Sequence, residues 1–395
     1  MMVAGRTGAQ AGAQGRRILF FTENAQGWNA LWPIVMRLKQ HADLTSSRLA
    51  VTYLATENHE SWRFASKESE IFFRQFHVPA DDIEVPAWDV FVISHAVRLV
   101  GVSPLQHVVA VPHGAGFGNV AYSLQKFARS TLYCGFSPAE ADYIADQTGQ
   151  SPPANRFIAT GAPRNDRFAS FLGASMAVRD ENKRRLKANL GLAPDKPLVL
   201  VSSHWTPGGI LRTFGGGILD ALVPLAGECE IVQISHPNLW NDPQFDIYDP
   251  KTQRPSQKGF SSAWIRDALD HRHQTGKVKV FYNLESPDLL MAADLLIGDY
   301  SSIVIEFSMF DRPILFYDVP ERFFNRRTYD LYAAACIPFR RADYVERLVR
   351  HALNNPSKKS AGRQRLSAHF NYNIGGAPEA VVNAIAGLSV EKALA

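Results

Sequence analysis

Cysteine is scarce in this chain: three in 395 residues, Cys134, Cys229 and Cys336, far apart and odd in number. No C-x-x-C pair exists to grip a zinc ion, and three reduced thiols in a cytoplasmic protein are expected. Excess charge of one sign is lacking too. A formal net charge of +4 is small for this length, so bulk charge gives no reason to expect a nucleic-acid partner. No apolar run approaches the ~20 residues of a membrane span. Met1–Gly15 is rich in Gly, Ala and Gln without an apolar stretch, so residues 1–15 are expected to form a disordered tail, neither a secretory signal nor an anchor. The usual glycine patterns of nucleotide enzymes are missing as well. Gly114–Gly118 and Gly215–Gly217 do not fit G-x-G-x-x-G, there is no G-x-x-x-x-G-K-[ST], and no Asp-x-Asp pair offers itself to a metal-bound nucleotide. Dinucleotide oxidoreductases and P-loop kinases lose support, and neither a cofactor nor a metal is expected.

What is present is ample core material, 46% hydrophobic against 20% charged residues, in a chain longer than one core usually supports. Short apolar runs alternate with helical patterns. Strands are expected at Arg17–Thr22, Leu49–Leu54, Val90–Ser94, Val108–Val111 and Arg156–Thr160. A second series is expected at Pro197–Ser202, Glu230–Ser235, Val278–Tyr282, Leu295–Ile297 and Ile314–Tyr317. Strands alternating with helices imply parallel sheets covered on both faces. The expected fold is therefore α/β and GT-B-like: two doubly wound, Rossmann-like domains facing a central cleft. The expected divisions are an N-terminal acceptor-side domain at 16–170, a hinge at 171–195, a C-terminal donor-side domain at 196–365, and a helical segment at 366–395. The hinge carries a basic, helix-prone run over Ala177–Leu190. Asn241–Ser262 reads as a long loop, and Ala377–Leu388 as an amphipathic helix free to close against either half.

Four short elements carry possible chemistry. His113 follows a strand and precedes Gly114, where backbone can approach a ligand closely; it is placed as a general base or as a turn cap. Gly161-Ala162-Pro163-Arg164-Asn165-Asp166 shapes a turn in which Arg164 offers a planar fork for phosphate, or locks the hinge with Asp166. His236 sits between Ser235 and Pro237 at a strand end. The fourth element, Ala292–Pro313, packs a strand, the break at Gly298 and Asp299, and a helix start at Ser301 and Ser302, with Glu306 one turn further in. Hydroxyls and free N–H groups there face an anion or merely cap a helix. Trp205-Thr206-Pro207 adds Thr206 as a further hydroxyl for the cleft.

These elements, in this order and at these spacings from His113 to Asp318, resemble the CDP-glycerol glycerophosphotransferase family, which includes the polymerases and primases of teichoic acid synthesis. The resemblance implies transfer of glycerol phosphate, or a related polyol phosphate, from a CDP-activated donor to a hydroxyl acceptor on a cell-envelope lipid or polymer, releasing CMP. It implies His113 as the base toward the acceptor, and His236, Ser301, Ser302 and Arg164 on the donor phosphates. Glu306 would hold the ribose, at a position where the family more often has Asp. Gly114, Asp299 and Thr206 complete the cleft. The basic residues common in the family shortly after His-Gly and just before His-Pro are missing; the next after Gly114 is Lys126. Such a protein would work in the cytoplasm, touching the inner face of the inner membrane. The other readings are a GT-B glycosyltransferase using a sugar nucleotide, and a catalytically silent nucleotide-binding subunit of an envelope assembly complex.

Overall fold

The computed structural model describes residues 15–23, 25–53, 64, 66–95, 99–114, 120–205, 208–235, 239, 245–248, 255–260, 262–282, 287–319 and 326–389. The first half is built on β1 (Arg17–Thr22), β2 (Arg48–Tyr53), β3 (Val90–Ile93), β4 (His107–Ala110), β5 (Leu132–Gly135) and β6 (Phe157–Ala159). They form one six-stranded sheet in the order β2-β1-β3-β4-β5-β6, with every pairing parallel. The chain moves outward from β1 to β2, then crosses to the other side for β3, so the order reverses between β1 and β3. Ligands in such sheets bind beyond the carboxyl ends of the strands at that reversal.

The second half contains β7 (Leu198–Ser203), β8 (Glu230–Ser235), the antiparallel hairpin β9 (Phe245–Tyr248) and β10 (Pro255–Phe260), then β11 (Lys279–Phe281), β12 (Leu295–Gly298), β13 (Ile314–Tyr317) and β14 (Ile337–Phe339). Its parallel sheet runs β11-β8-β7-β12-β13-β14. Counted from its own first strand, this is the 3-2-1-4-5-6 order of dinucleotide-binding sheets, reversing between β7 and β12. The fold is GT-B-like, as expected.

The strands form where expected because their side chains are buried on both sheet faces, which leaves nearly continuous apolar runs such as Leu198–Val201 and Leu295–Ile297. Three expectations need correction. Asn241–Ser262 is not simply a loop: it carries the hairpin, and Ser262 starts a helix to Gln274. Each sheet also gains one strand that the sequence reading lacked, β5 in the first and β14 in the second. Both are short, and their cores of Leu132-Tyr133-Cys134 and Ile337-Pro338-Phe339 carry little periodic signal.

Of the helices, α1 (Ala25–Leu38) follows β1, α2 (Val120–Arg129) follows β4 and α3 (Ala139–Thr148) follows β5. The basic run expected at the hinge forms α4 (Met176–Asn189), the segment after β12 is α5 (Ser302–Ser308), and the last described helix is α6 (Ala377–Ala386). α6 packs on the first half. Val381, Val382 and Ile385 join the core formed by Trp28, Leu31 and Val35 of α1, while Arg16 donates to the carbonyl oxygens of Ala386 and Leu388.

One apolar core also joins the two halves, through Phe168, Phe310, Phe136 and Phe370. Edge-to-face contact of Phe168 with Phe310, ring centroids 5.4 Å apart, fixes the halves together there. Gly161 sits at the same junction with φ +91°, where a Cβ would lie 2.5 Å from the Tyr372 carbonyl oxygen. Only glycine meets both demands.

Candidate functional site

The two sheet reversals each place polar side chains at strand ends. In the first half, Thr22 ends β1, Ser94 and His95 follow β3, and His113 follows β4; Thr22, Ser94 and His95 are buried. The rings of His95 and His113 stack, with centroids 5.1 Å apart and planes 9° from parallel. Ser94 Oγ lies 2.8 Å from His95 Nδ1, and the Ser94 backbone lies close enough to the His113 ring to favour its protonation. Lys126, from α2, is buried behind them. Its ammonium lies 3.4 Å from the Val111 carbonyl oxygen and 5.7 Å from the centre of the Tyr133 ring. Glu140, from α3, is buried there too, accepting from Tyr133 Oη at 2.6 Å and from the Phe136 N–H at 2.9 Å.

These groups set one another's charge. Burial lowers the His113 pKa well below 6.5, and the fields of His95, Lys126 and Arg164 lower it further; only the Ser94 backbone opposes them. Burial, aided by Lys126, takes His95 down to about 3. Lys126 itself falls to about 8 by burial, against the pull of Glu140, and Glu140 rises to about 7 by burial, against Tyr133 and Lys126. Both imidazoles are therefore neutral at pH 7. A neutral imidazole beside buried positive charge is a proton acceptor already in its working state. Lys126 comes from the residues after His113-Gly114 and occupies this region, although 13 positions of chain separate it from His113.

In the second half, Asp299 spans the reversal between β7 and β12. Its Oδ2 accepts from the backbone N–H groups of His204 at 2.8 Å and Ile210 at 3.1 Å, so the end of β12 holds the loop that leaves β7. Burial raises its pKa to about 6, against those N–H groups and the Ser301 hydroxyl. Through these bonds the carboxylate ties a loop. Ser301 is the N-cap residue of α5 but its side chain makes no capping bond; Ser302 is exposed, and Glu306 is buried at 1% exposure. Glu306 Oε1 has no hydrogen-bond partner among the described residues. A buried carboxylate oxygen left without a donor is costly and needs an explanation.

The halves meet here. A Cβ built on Gly114 would stand 3.8 Å from Glu306 Oε1 and 3.9 Å from Ser302 Oγ. The His113-Gly114 pair and the Ser301–Glu306 segment, expected on opposite sides of one cleft, are thus neighbours. Arg164 lies close enough to His113 to disfavour its protonation. The rest of its turn is structural: Asp166 accepts from the Gly375 N–H at 3.0 Å, and Asn165 donates to Asn371, which donates on to the Ile305 carbonyl of α5 at 2.9 Å. His236 and Thr206 lie outside the described residues. Sequence reading missed His95, Lys126 and Glu140, because nothing in their local pattern separates a buried polar side chain from a surface one. Among the described residues, no three His, Cys, Asp or Glu side chains gather as metal ligands would, and no helix is long and apolar enough to cross a membrane.

Comparison with known proteins bears on this geometry. Residues 264–387, which include the Ser301–Glu306 segment, match the family described as CDP-Glycerol:Poly(glycerophosphate) glycerophosphotransferase. Over those residues, fewer than half of the chain, the sequence is similar to that family. Sequence similarity reaches the teichoic acid glycerol-phosphate primases of Bacillus subtilis (strain 168), 40% identical over 63 residues, and of Bacillus spizizenii, 43% identical over 77 residues. These stretches cover 16% and 20% of this chain, and 16% and 17% of the primases' own lengths. The fold is similar to that of the wall teichoic acid polymerase TagF, with a TM-score of 0.62 at 14% identity over 93% of this chain and 88% of that one. A TagF variant soaked with CDPG gives 0.60 at 14% identity, over 95% and 90% of the two chains. The UDP-GlcNAc 2-epimerase from Neisseria meningitidis, bound to UDP-GlcNAc, gives 0.58 at 13% identity, over 93% and 99%.

Proposed function

We propose that this chain transfers glycerol phosphate, or a related polyol phosphate, from its CDP-activated form to a hydroxyl acceptor and releases CMP. The observation that carries the reading is the meeting of Gly114 with Glu306 and Ser302, which puts a neutral histidine from one sheet beside hydroxyls and a carboxylate from the other. The family match over 264–387 and the primases' sequences support the donor chemistry.

In this reading the acceptor oxygen attacks the phosphorus that bears glycerol, in line with the departing CMP. Its proton passes to His113, and the bond from phosphorus to the CMP oxygen breaks. Ser301, Ser302 and Arg164 donate to the donor phosphates, joined by His236. Such donors stabilise charge as it moves onto the leaving phosphate. Glu306 Oε1 accepts from a ribose hydroxyl, which supplies the donor it lacks. The acceptor is a hydroxyl on an envelope lipid or polymer, reached from the cytoplasmic face of the inner membrane.

The test is donor selectivity. Purified protein is incubated with CDP-glycerol, CDP-ribitol, UDP-glucose or UDP-N-acetylglucosamine, with an envelope lipid extract as acceptor, and nucleotide release is followed. CMP release from CDP-glycerol is the expected result. UDP release alone would make the protein a glycosyltransferase, and CMP binding without turnover would make it a silent subunit.

A further inference from the structure

The mechanism above uses His113 and leaves its stacked neighbour without a task. We propose that His95 is a positioning residue for His113: together with Ser94 it fixes the plane and tautomer of the base. The inference rests on the reading of His113 as that base. Three observations carry it. The two rings are nearly parallel at 9°, with centroids 5.1 Å apart, so rotation of one about its Cβ–Cγ bond runs into the other. Ser94 adjoins both rings: its hydroxyl lies 2.8 Å from His95 Nδ1, and its backbone is close enough to His113 to favour a proton there. And the chain makes room for His95 at some expense to its neighbours. Gly27 lies in the first turn of α1, where a Cβ would sit 2.2 Å from His95 Cε1, 2.5 Å from Thr22 Oγ1 and 2.6 Å from Ser94 Oγ. Glycine inside a helix ordinarily costs ~0.5–1 kcal/mol relative to alanine. Here it admits the imidazole.

The physical logic is orientation. A histidine base works only while the nitrogen without a proton faces the acceptor hydroxyl, and which nitrogen that is follows from what the other one binds. The His95 ring, itself held by the Ser94 hydroxyl, lies stacked on His113 and sets the plane in which that ring meets the Ser94 backbone beside it. With His95 removed, the His113 ring is free to turn and to exchange tautomers. Misplacement of a catalytic group by about 1 Å costs on the order of 10²-fold.

The test compares His95→Ala, which removes the ring, with His95→Phe, which keeps a flat ring in the stack; Ser94→Ala serves if His95→Ala does not fold. Two readouts are taken on the full chain. Nitrogen chemical shifts of 15N-histidine-labelled protein at pH 7.5, with His113 assigned by its loss in His113→Gln, report the tautomer. Steady-state turnover of CDP-glycerol gives kcat and KM. The expected result is one tautomer of His113 in the wild type and in His95→Phe, and averaging between two in His95→Ala, partial in Ser94→Ala. In His95→Ala kcat should fall about 10- to 100-fold with KM for CDP-glycerol changed less than about 3-fold, and His95→Phe should restore most of it. An unaltered His113 spectrum in both His95→Ala and Ser94→Ala overturns the proposal. Tautomer averaging in His95→Ala together with normal turnover by His113→Ala leaves the positioning role standing and removes His113 as the base.

Discussion

Gly114 faces Glu306 across the join between the two halves, 3.8 Å from its position for a Cβ to the carboxylate Oε1. That spacing is ordinary van der Waals contact, so a methyl group fits, but nothing longer fits without entering the space between His113 and the second sheet. Gly114→Leu should therefore fold and fail to bind donor. We expect a melting temperature within about 1 °C of wild type, roughly the shift of a 1 kcal/mol change in a chain this size, and CMP affinity lowered at least ~10-fold by titration calorimetry. Wild-type CMP binding would place the nucleotide elsewhere.

The Ser301–Glu306 segment makes two separable contributions. Replacing both Ser301 and Ser302 with alanine removes two donors to charged phosphate oxygens, each bond worth about 1.5–3 kcal/mol. Folding should suffer little, since the Ser301 side chain makes no capping bond in the first place. Glu306→Gln should weaken CMP and CDP-glycerol alike, because ribose is common to both. Dissociation constants and melting temperatures of each variant check this. If the double-serine variant binds both ligands normally but melts much lower, the segment is only a helix start.

Lys126 should set the acid limb of activity. His113 must be neutral to act, and burial, the neighbouring His95 ring and the positive charges of Lys126 and Arg164 hold its pKa well below 6.5, so turnover should stay flat from pH 8 down to about 6. Lys126→Met removes one of the charges that oppose protonation. The His113 pKa then rises, and the acid limb of kcat should move to higher pH. Glu140 loses the charge that favoured its ionised form, rises further from about 7 and goes neutral, so no buried charge is stranded. An acid limb unmoved in Lys126→Met would mean that a group other than His113 titrates.

How much of this was legible in sequence follows from the kind of signal each residue gives. Runs such as Leu198–Val201 and Leu295–Ile297 declare buried parallel strands through unbroken apolarity, and the sheets they form were readable. His113-Gly114 and the Ser301–Glu306 segment were readable as motifs because their members adjoin in sequence. His95, Lys126 and Glu140 were not, since they reach the site from the end of β3 and from two helices, α2 and α3, and their role depends on burial that appears only when the sheet is assembled. Asp299 was readable as a strand-end carboxylate. That it ties the loop after β7 was not, because its partners are backbone N–H groups 95 and 89 positions away. The side on which α6 closes was equally hidden, since an amphipathic helix states that it packs but not against what.

Asp299 gives the sharpest prediction about stability. Its folded pKa, about 6, stands above its ordinary 3.8, because burial penalises the charged form by more than the His204 and Ile210 N–H groups and the Ser301 hydroxyl return. Between those two pH values the folded chain binds a proton that the unfolded chain does not. Stability from this group is thus fully present below about 3.8 and is lost as pH rises through about 6. Asp299→Asn keeps an oxygen for both N–H groups and carries no charge to desolvate. The melting temperature of the variant relative to wild type should therefore rise between pH 5, where wild-type Asp299 is largely protonated, and pH 8, where it is ionised. Thermal denaturation at both pH values measures the difference. A constant gap would mean that Asp299 titrates alike in the folded and unfolded chain, and a gap that moves against the variant at pH 8 would mean that the ionised carboxylate is favoured by its surroundings.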